Sequence, residues 1–305
     1  MSVQALPYVV LLGALFGTTL VASRFSVGQF EPLTYIGLRL MIASLCHVAV
    51  YTVSSRRSWP KDRQVWRHSA VLGILGTAVP MTAIVSSLAY QSSGLTAVLI
   101  TTSPAITVLM AHFFLPDEPL NRRKALGVVI ALAGALLLAL LGESGLPNVS
   151  KAEPIGYILV TAAMIFGSGA TIYARKYMQS YDTIDVNSVR MMTAATVILP
   201  LSLLLVGFDL SGVDRQGITA LFYAAIVGTF FGMMLAFYNI QRFGATASAM
   251  SAYIIPIVAT AGGALLLGEA ITAGMITGMV IILAGVVIIN QRPALAGDDI
   301  SPTPV

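Results

Sequence analysis

The sequence predicts an all-α integral membrane protein with ten transmembrane helices, arranged as two inverted five-helix repeats. Hydrophobic residues make up 57% of the 305 residues and charged residues only 10%, whereas about 25% of an ordinary soluble domain is charged. The apolar residues form ten stretches of roughly the 20 residues that a membrane-spanning helix needs. The first half of the chain is repeated in the second. These observations exclude a soluble globular domain.

The ten predicted spans are separated by short polar loops, and no stretch remains for a soluble domain. Asn121 and Thr272 stand where N-caps of the fifth and tenth spans are expected. In chain order the spans are Pro7–Val27, Leu33–Val53, Ser69–Tyr90, Leu95–Leu115, Lys124–Leu141, Ile155–Tyr177, Val186–Val206, Ile218–Ile240, Ala245–Leu267 and Thr272–Ile289.

The duplication is clearest where each half carries a proline followed by the spacing Glu-x8-Gly-x6-Gly. Pro104 aligns with Pro256, and Glu118 aligns with Glu269. The repeating unit is roughly 150 residues long, which is the first property to establish because repeats decide the fold. Further anchors recur in the same order: Phe16-Gly17 with Phe166-Gly167, Arg39 with Arg190, Gly76-Thr77 with Gly228-Thr229, and Met81 with Met233.

The repeats divide the chain into a first five-helix unit, 1–142, a linker, 143–154, and a second five-helix unit, 155–291. Residues 292–305 are expected to form a disordered cytoplasmic tail. Because five is an odd number, the second unit enters the membrane in the opposite orientation. Inverted repeats of this kind are common in secondary transporters, whose substrate site lies between the repeats near the midplane.

Lysine and arginine predict the orientation of the bundle. Twelve of the 17 basic residues lie on the side that holds both termini, three lie on the other side, and two lie within spans. The positive-inside rule therefore predicts cytoplasmic termini in a bacterial-type inner membrane. This topology also explains the net charge of +4, so nucleic-acid binding is not expected.

These residues resemble the drug/metabolite transporter superfamily, and the duplicated Phe-Gly, arginine and Pro…Glu-x8-Gly-x6-Gly elements are most similar to its EamA branch. The resemblance covers nearly the whole chain. It implies ten helices in two EamA-like domains. In size and layout the chain is similar to bacterial exporters of amino acids and metabolites, including exporters of aromatic amino acids.

Arg39 and Arg190 are the most conspicuous polar residues, because an arginine inside a span is costly and faces protein or water. One interpretation is a clamp that binds a substrate carboxylate with two parallel hydrogen bonds. The other is a structural arginine bonded to a neighbouring span. We favour the structural interpretation here, because a substrate has one orientation whereas both halves keep the arginine.

Hydroxyl and aromatic side chains concentrate in spans one, three, four, six, eight and nine, which is typical of a cavity for small amphipathic molecules. For any single serine or threonine, packing between helices is the alternative. Spans five and ten carry small and aliphatic residues and are expected to lie at the periphery, packed together or against a partner, without lining the path. The predicted substrate-binding residues are Thr19, Ser86, Tyr90, Thr101, Ser103, Tyr173, Phe230, Met234, Phe237, Tyr238 and Tyr253.

Three prolines, Pro80, Pro104 and Pro256, fall inside spans and each removes a helical hydrogen bond. Such breaks often lie beside a transport site, and a simple packing kink is the alternative. Glu118 and Glu269 precede the spans five and ten, where a carboxylate complements the helix dipole. A role in the fold is the preferred interpretation of these glutamates, and gating is the alternative.

The function predicted from these features is export of small metabolites, foremost amino acids, by facilitated alternating access. The alternatives are efflux of drugs or cationic amines with ion coupling, and a membrane-embedded enzyme or scaffold. The three histidines show no metal-ligand spacing and there is one cysteine, so neither an enzyme, nor a metal, nor a cofactor is expected. The expected partners are the substrate and the lipid bilayer, with the chain a monomer or a weak homodimer through helices five and ten.

Overall fold

The computed structural model describes residues 3–54, 57–116, 118–149, 152–243 and 250–291. Within these residues the chain forms ten helices long and apolar enough to cross a membrane, and no strand. The predicted fold class is confirmed, and the predicted tail, 292–305, lies outside the described residues. The helices are α1 Leu6–Ser26, α2 Pro32–Val53, α3 Arg63–Ser87, α4 Ser93–Phe114, α5 Arg122–Leu141, α6 Pro154–Tyr177, α7 Thr183–Leu205, α8 Arg215–Phe243, α9 Met250–Leu267 and α10 Ala273–Asn290.

Side-chain caps set several helix starts. Asn121 accepts a hydrogen bond from Lys124 N and Thr272 from Met275 N, which confirms the two predicted caps. Helix α3 begins six residues before its predicted start because Asp62 accepts a bond from Gln64 N and caps an additional, polar turn. Capping side chains satisfy backbone N–H groups that have no partner inside the helix.

The packing of the helices repeats between the two halves. Helix α1 packs on α9 as its counterpart α6 packs on α4, and α3 packs on α6 as α8 packs on α1. Helices α2, α4 and α5 each pack on their own counterparts, α7, α9 and α10. This exchange of neighbours is the pattern of a pseudo-twofold axis between the repeats. Connections after odd-numbered helices lie at one end of the bundle, here the odd face, and those after even-numbered helices at the other, the even face.

Helices α5 and α10 pack together along their glycines, as expected from the sequence. A Cβ atom at Gly127 would lie 2.6 Å from the carbonyl oxygen of Gly285, and one at Gly285 would lie 2.5 Å from Ala131 N. Their opposite surfaces expose aliphatic side chains, such as Leu140 and Val280. The glycine faces are therefore used within the chain, and the outer faces suit lipid. The proposed weak homodimer remains a prediction.

Four of the helices are interrupted. Helix α3 contains a π-helical segment, Ile74–Ala78, and α8 contains its counterpart, Ala224–Phe231. Helix α4 has a turn at Thr101-Thr102, and α9 begins with the 3₁₀ segment Met250–Tyr253. Such interruptions are frequent at functional sites because they redirect backbone groups. The three predicted prolines follow these interruptions. Pro80, Pro104 and Pro256 are each the second residue of the α-helical segment that comes after the interruption.

Candidate functional site

A cavity of about 270 Å³ lies between the two repeats. Helices α1 to α4 line it from the first repeat and α7 to α9 from the second, whereas α5, α6 and α10 contribute none of its lining. The sequence predicted α6 in place of α2 and α7. Its lining residues are Phe16, Thr19, Leu20, Ser23, Arg39, Gly76, Thr77, Met81, Ile84, Val85, Ile100, Arg190, Met191, Gly228, Thr229, Met233 and Ile255.

The cavity wall is largely apolar, with a few polar groups in fixed positions. Aliphatic, methionine and phenylalanine side chains provide most of the lining, and four hydroxyls and two guanidinium groups provide its polar side chains. An apolar pocket with a few convergent polar groups is the usual form of a small-molecule site. The cavity therefore suits a small molecule with an apolar body and a polar end.

Arg39 reaches the cavity from α2 and contacts the other repeat. Its Nε donates to Thr229 Oγ1 at 2.7 Å, and its Nη1 donates to Ser23 Oγ at 3.2 Å. The side chain is buried. Because Arg39 and Thr229 belong to different repeats, this bond joins the two halves across the cavity.

Arg190 makes the reciprocal contact from α7. Its Nε donates to Thr77 Oγ1, and its Nη2 donates to the carbonyl oxygen of Gly76 at 2.6 Å. Thr77 is the repeat counterpart of Thr229. Each arginine therefore binds the equivalent threonine of the opposite repeat, which gives the structural interpretation of these residues a specific geometry.

The π-helical segments orient both threonines. Thr77 Oγ1 donates to Leu72 O at 3.2 Å, and Thr229 Oγ1 donates to Ala224 O at 3.1 Å, in each case five residues earlier. A hydroxyl has one proton to donate and two lone pairs. Since that proton is committed to the backbone, each threonine presents an acceptor to its arginine.

The electrostatics of the cavity are one-sided. Two guanidinium groups line it, and no carboxylate does within the part of the chain that the structure describes. Among the described residues, neither Arg39 nor Arg190 has a carboxylate oxygen within 4.0 Å. Buried charges are normally paired, because removing them from water is costly. A cavity with two buried cations and no counter-ion is arranged to bind an anionic group.

The predicted residues divide between this cavity and other places. Thr19, Arg39 and Arg190 line it. Met234 and Tyr238 instead line a second cavity of about 210 Å³ at the even face, together with His47 and Asn187. Phe230 lies next to this second cavity, with its ring against His47. The side chain of Phe237 lies outside the described residues.

The remaining predicted residues lie outside the central cavity. Four of them make hydrogen bonds elsewhere in the helix bundle. Thr101 donates to Val98 O within α4, and Ser103 O accepts a bond from Ser168 of α6. Tyr173 is hydrogen-bonded to His68 at 2.7 Å, and Tyr253 to Asn290 at 2.9 Å. Near the odd face, at the end of α3, lie Ser86 and Tyr90.

Sequence reasoning did not assign Thr77, Met81, Thr229 or Met233 to the site, although each lines the cavity. Their signal was present, since these residues are among the anchors that recur in both repeats. In the sequence, their recurrence indicates the duplication but not a binding site. Their common location shows that the duplicated positions concentrate where the repeats meet.

The fold occurs in a solved crystal structure. That structure superimposes with a TM-score of 0.64 and 19% sequence identity, over 95% of this chain and 98% of the other. This similarity concerns the fold alone.

Curated relatives are transporters by name. The chain is 24% identical to the uncharacterized transporter YoaV of Bacillus subtilis, over 89% of this chain and 91% of the relative. It is 27% identical to the uncharacterized inner membrane transporter YedA of Escherichia coli, over 88% and 86%. It is 30% identical to a protein of Salmonella typhimurium named "Probable amino-acid metabolite efflux pump", over 64% and 67%. The model of the EamA-like transporter family matches residues 4–140 and again 154–291, and the chain, a multi-pass membrane transporter, belongs to that family.

Proposed function

We propose that the protein exports small carboxylate-bearing metabolites, amino acids among them, by alternating access through the cavity between the repeats. The observation that carries the proposal is the pair of guanidinium groups of Arg39 and Arg190 on one apolar cavity that no carboxylate lines. Guanidinium groups match the planar geometry of a carboxylate. The relative named as an amino-acid metabolite efflux pump supports the same substrate class.

The positions of the two arginines along the membrane normal suit this mechanism. Arg39 is the eighth residue of α2, counted from the odd face, and Arg190 is the eighth residue of α7, counted from the even face. Seven residues of helix correspond to about 10 Å. One guanidinium is therefore nearer to each face, so that a carboxylate entering from either side meets an arginine about two turns below the surface.

We further propose facilitated transport, with both termini in the cytoplasm of a bacterial-type inner membrane. The twelve-to-three distribution of basic residues supports the orientation. The absence of a carboxylate from the cavity lining supports uniport, because intramembrane acids commonly bind the coupling proton or ion. The same absence disfavours the alternative, efflux of cationic amines, which calls for a buried acid.

The test is uptake of a labelled amino-acid panel into liposomes that carry the purified full chain, with and without proton and sodium gradients. We expect saturable uptake above that of protein-free liposomes, with a final distribution that ion gradients do not change. Uptake restricted to amines would contradict the carboxylate assignment. Accumulation driven by an imposed ion gradient would contradict facilitated transport.

A further inference from the structure

We propose that the cavity selects net-anionic organic acids, with an apolar body and no ammonium group, over zwitterionic amino acids of the same carbon skeleton. This inference rests on the proposed function and names the substrate that the same site binds best. It follows from the charges of the lining and from the acceptors that the lining has already used.

The first step is the charge of the lining. Seventeen of the described residues line the cavity, and Arg39 and Arg190 are the only ionisable ones among these seventeen. A net anion supplies the missing counter-charge, whereas a zwitterion brings an ammonium group as well as a carboxylate. That ammonium would enter a low-dielectric space beside two cations, where like charges repel more strongly than in water. The charges of the lining therefore favour binding of a carboxylate and disfavour binding of an ammonium group.

The second step is the shortage of acceptors for an ammonium. Thr77 and Thr229 accept bonds from the arginines, and so does Ser23, whose hydroxyl also lies 3.2 Å from Tyr35 Oη. Gly76 O accepts a bond from Arg190. The fourth lining hydroxyl, Thr19 Oγ1, donates to Leu15 O at 2.6 Å and keeps its lone pairs. Because an ammonium has three donors and needs acceptors, this one uncommitted hydroxyl leaves it poorly satisfied.

The donors, in contrast, are available. A guanidinium carries five N–H donors. Thr229, Ser23 and Tyr35 account for three on Arg39, and Thr77 and Gly76 account for two on Arg190. The bonds to Thr229 and Thr77 fix both groups in place without neutralising them. A guanidinium that is already fixed in position loses little further conformational entropy when it binds an oxyanion.

The experiment compares three probes with one carbon skeleton: leucine, its α-oxo acid, and the amine formed by its decarboxylation. Purified full-length protein is reconstituted into vesicles of phosphatidylethanolamine and phosphatidylglycerol, and saturable uptake is measured. We expect half-saturation by the α-oxo acid at a concentration at least about tenfold below that for leucine, equivalent to about 1.4 kcal/mol. The amine should neither be transported nor compete.

An electrical readout distinguishes the charge of the transported species. A vesicle interior made positive with a potassium gradient and valinomycin should increase initial uptake of the anionic α-oxo acid and leave that of leucine unchanged. Leucine transported as well as the α-oxo acid, or competition by the amine, would overturn the inference.

Variants of the two arginines test whether these residues cause the preference for the α-oxo acid over leucine. Arg39→Gln and Arg190→Gln should each reduce the preference for the α-oxo acid over leucine by roughly tenfold, while Arg39→Lys and Arg190→Lys, which keep the charge, should retain most of it. Arg215→Gln, at an exposed arginine outside the cavity, is the matched control. Where a glutamine variant fails to fold, as judged by size-exclusion chromatography, the lysine variant of the same site provides the comparison. A folded glutamine variant with an unchanged preference would contradict the inference.

Binding in detergent separates this inference from the proposed function. Calorimetric binding of the α-oxo acid in preference to leucine, without uptake of either, would support the selectivity and contradict transport. Uptake of leucine and the other amino acids without a preference for the α-oxo acid would support transport and contradict the selectivity. Neither binding nor uptake of any probe would overturn both.

Discussion

The two ends of the helix bundle carry the same charged pair in different surroundings. At the odd face, Glu269 follows α9 and its Oε1 lies 3.7 Å from Arg24 Nε of α1. At the even face, Glu118 follows α4 and its Oε1 lies 2.5 Å from Arg175 Nη1 of α6. Glutamate and arginine are repeat counterparts in both pairs, each 151 positions apart. Each pair also joins one repeat to the other.

The difference lies in burial and in the groups that surround each carboxylate. The Glu269 side chain is 5% exposed and accepts bonds from Ser93 N at 2.9 Å and Ser93 Oγ at 2.7 Å, at the start of α4. The Glu118 side chain is 30% exposed, and its second partner is Lys124 Nζ at 3.1 Å. A buried carboxylate at a helix N-terminus is held by the helix dipole and by charge-assisted hydrogen bonds. An exposed ion pair is held far more weakly.

The different environments of the two pairs are the asymmetry expected of a single conformation of an inverted-repeat protein. Equivalent sequence positions would have equal environments if the pseudo-twofold symmetry were complete. Here the carboxylate of the odd-face pair is buried and that of the even-face pair is partly exposed. Both faces carry a cavity, one of about 470 Å³ beside Arg24 and Glu269 at the odd face and one of about 210 Å³ at the even face. In a carrier that alternates between its two faces, the equivalent pairs are expected to exchange these environments.

The largest effect should come from Glu269. Glu269→Ala leaves Ser93 N, Ser93 Oγ and Arg24 without their shared acceptor at a buried position, and breaking a buried charged contact of this kind costs about 3 kcal/mol. We expect a marked fall in the free energy of unfolding, measured by thermal or denaturant unfolding in detergent. Asp209→Ala is the matched control, because this exposed loop carboxylate makes its hydrogen bonds locally, with the backbone N–H and the side chain of Ser211. Equal destabilisation by Glu118→Ala would break the comparison.

An intermediate effect is expected at Tyr238, on the even face. Its ring lines the second cavity and lies 5.4 Å from the ring of Tyr8. A contact between an aromatic ring and an apolar substrate side chain contributes about 1 kcal/mol, which is roughly fivefold in affinity. Tyr238→Ala should therefore change transport of phenylalanine more than that of threonine in reconstituted vesicles.

The control for Tyr238 is its repeat counterpart on the odd face. Ser86→Leu should alter transport less than Tyr238→Ala, because Ser86 lines neither the central cavity nor the cavity at the even face. Unchanged kinetics in folded Tyr238→Ala protein would show that substrate does not pass along this part of α8.

Much of the fold was predictable, because it follows from properties that can be recognised in the sequence without knowledge of the tertiary structure. The apolar spans, the caps at Asn121 and Thr272, and the pairing of α5 with α10 depend on composition and on local chemistry. The two arginines were also recognisable, since a charge within a span is conspicuous.

The lining of the site on α8 was not predictable in the same way. The predicted substrate-binding residues Phe230, Met234 and Tyr238 share one stripe if the spacing is α-helical throughout. The cavity instead meets the adjacent row, Thr229 and Met233, and the π-helical segment Ala224–Phe231 contains the first residue of each row. A π-helical turn holds more residues than an α-helical turn, so it rotates the face that follows. Nor could the sequence distinguish Glu118 from Glu269, because their difference arises from the conformation of the whole bundle.

The smallest effect should come from Glu118, and its dependence on pH gives it a distinct signature. Hydrogen bonds from Arg175 and Lys124 lower the pKa of the Glu118 carboxyl. A carboxyl whose pKa is lower in the folded state adds stability above its unfolded-state pKa, and this contribution is lost as the pH falls through the folded-state value. Because the pair is exposed to solvent, Glu118→Ala should lower the free energy of unfolding by less than about 1 kcal/mol at neutral pH. The deficit should begin to shrink below the ordinary glutamate pKa of about 4.3 and disappear below the lower folded-state pKa. The measurement is the difference in melting temperature between parent and variant across this range, at low salt and again at high salt, where screening should reduce it. A deficit as large as that of Glu269→Ala, or one that persists in acid, would mean that the Glu118 carboxylate is held as strongly as that of Glu269.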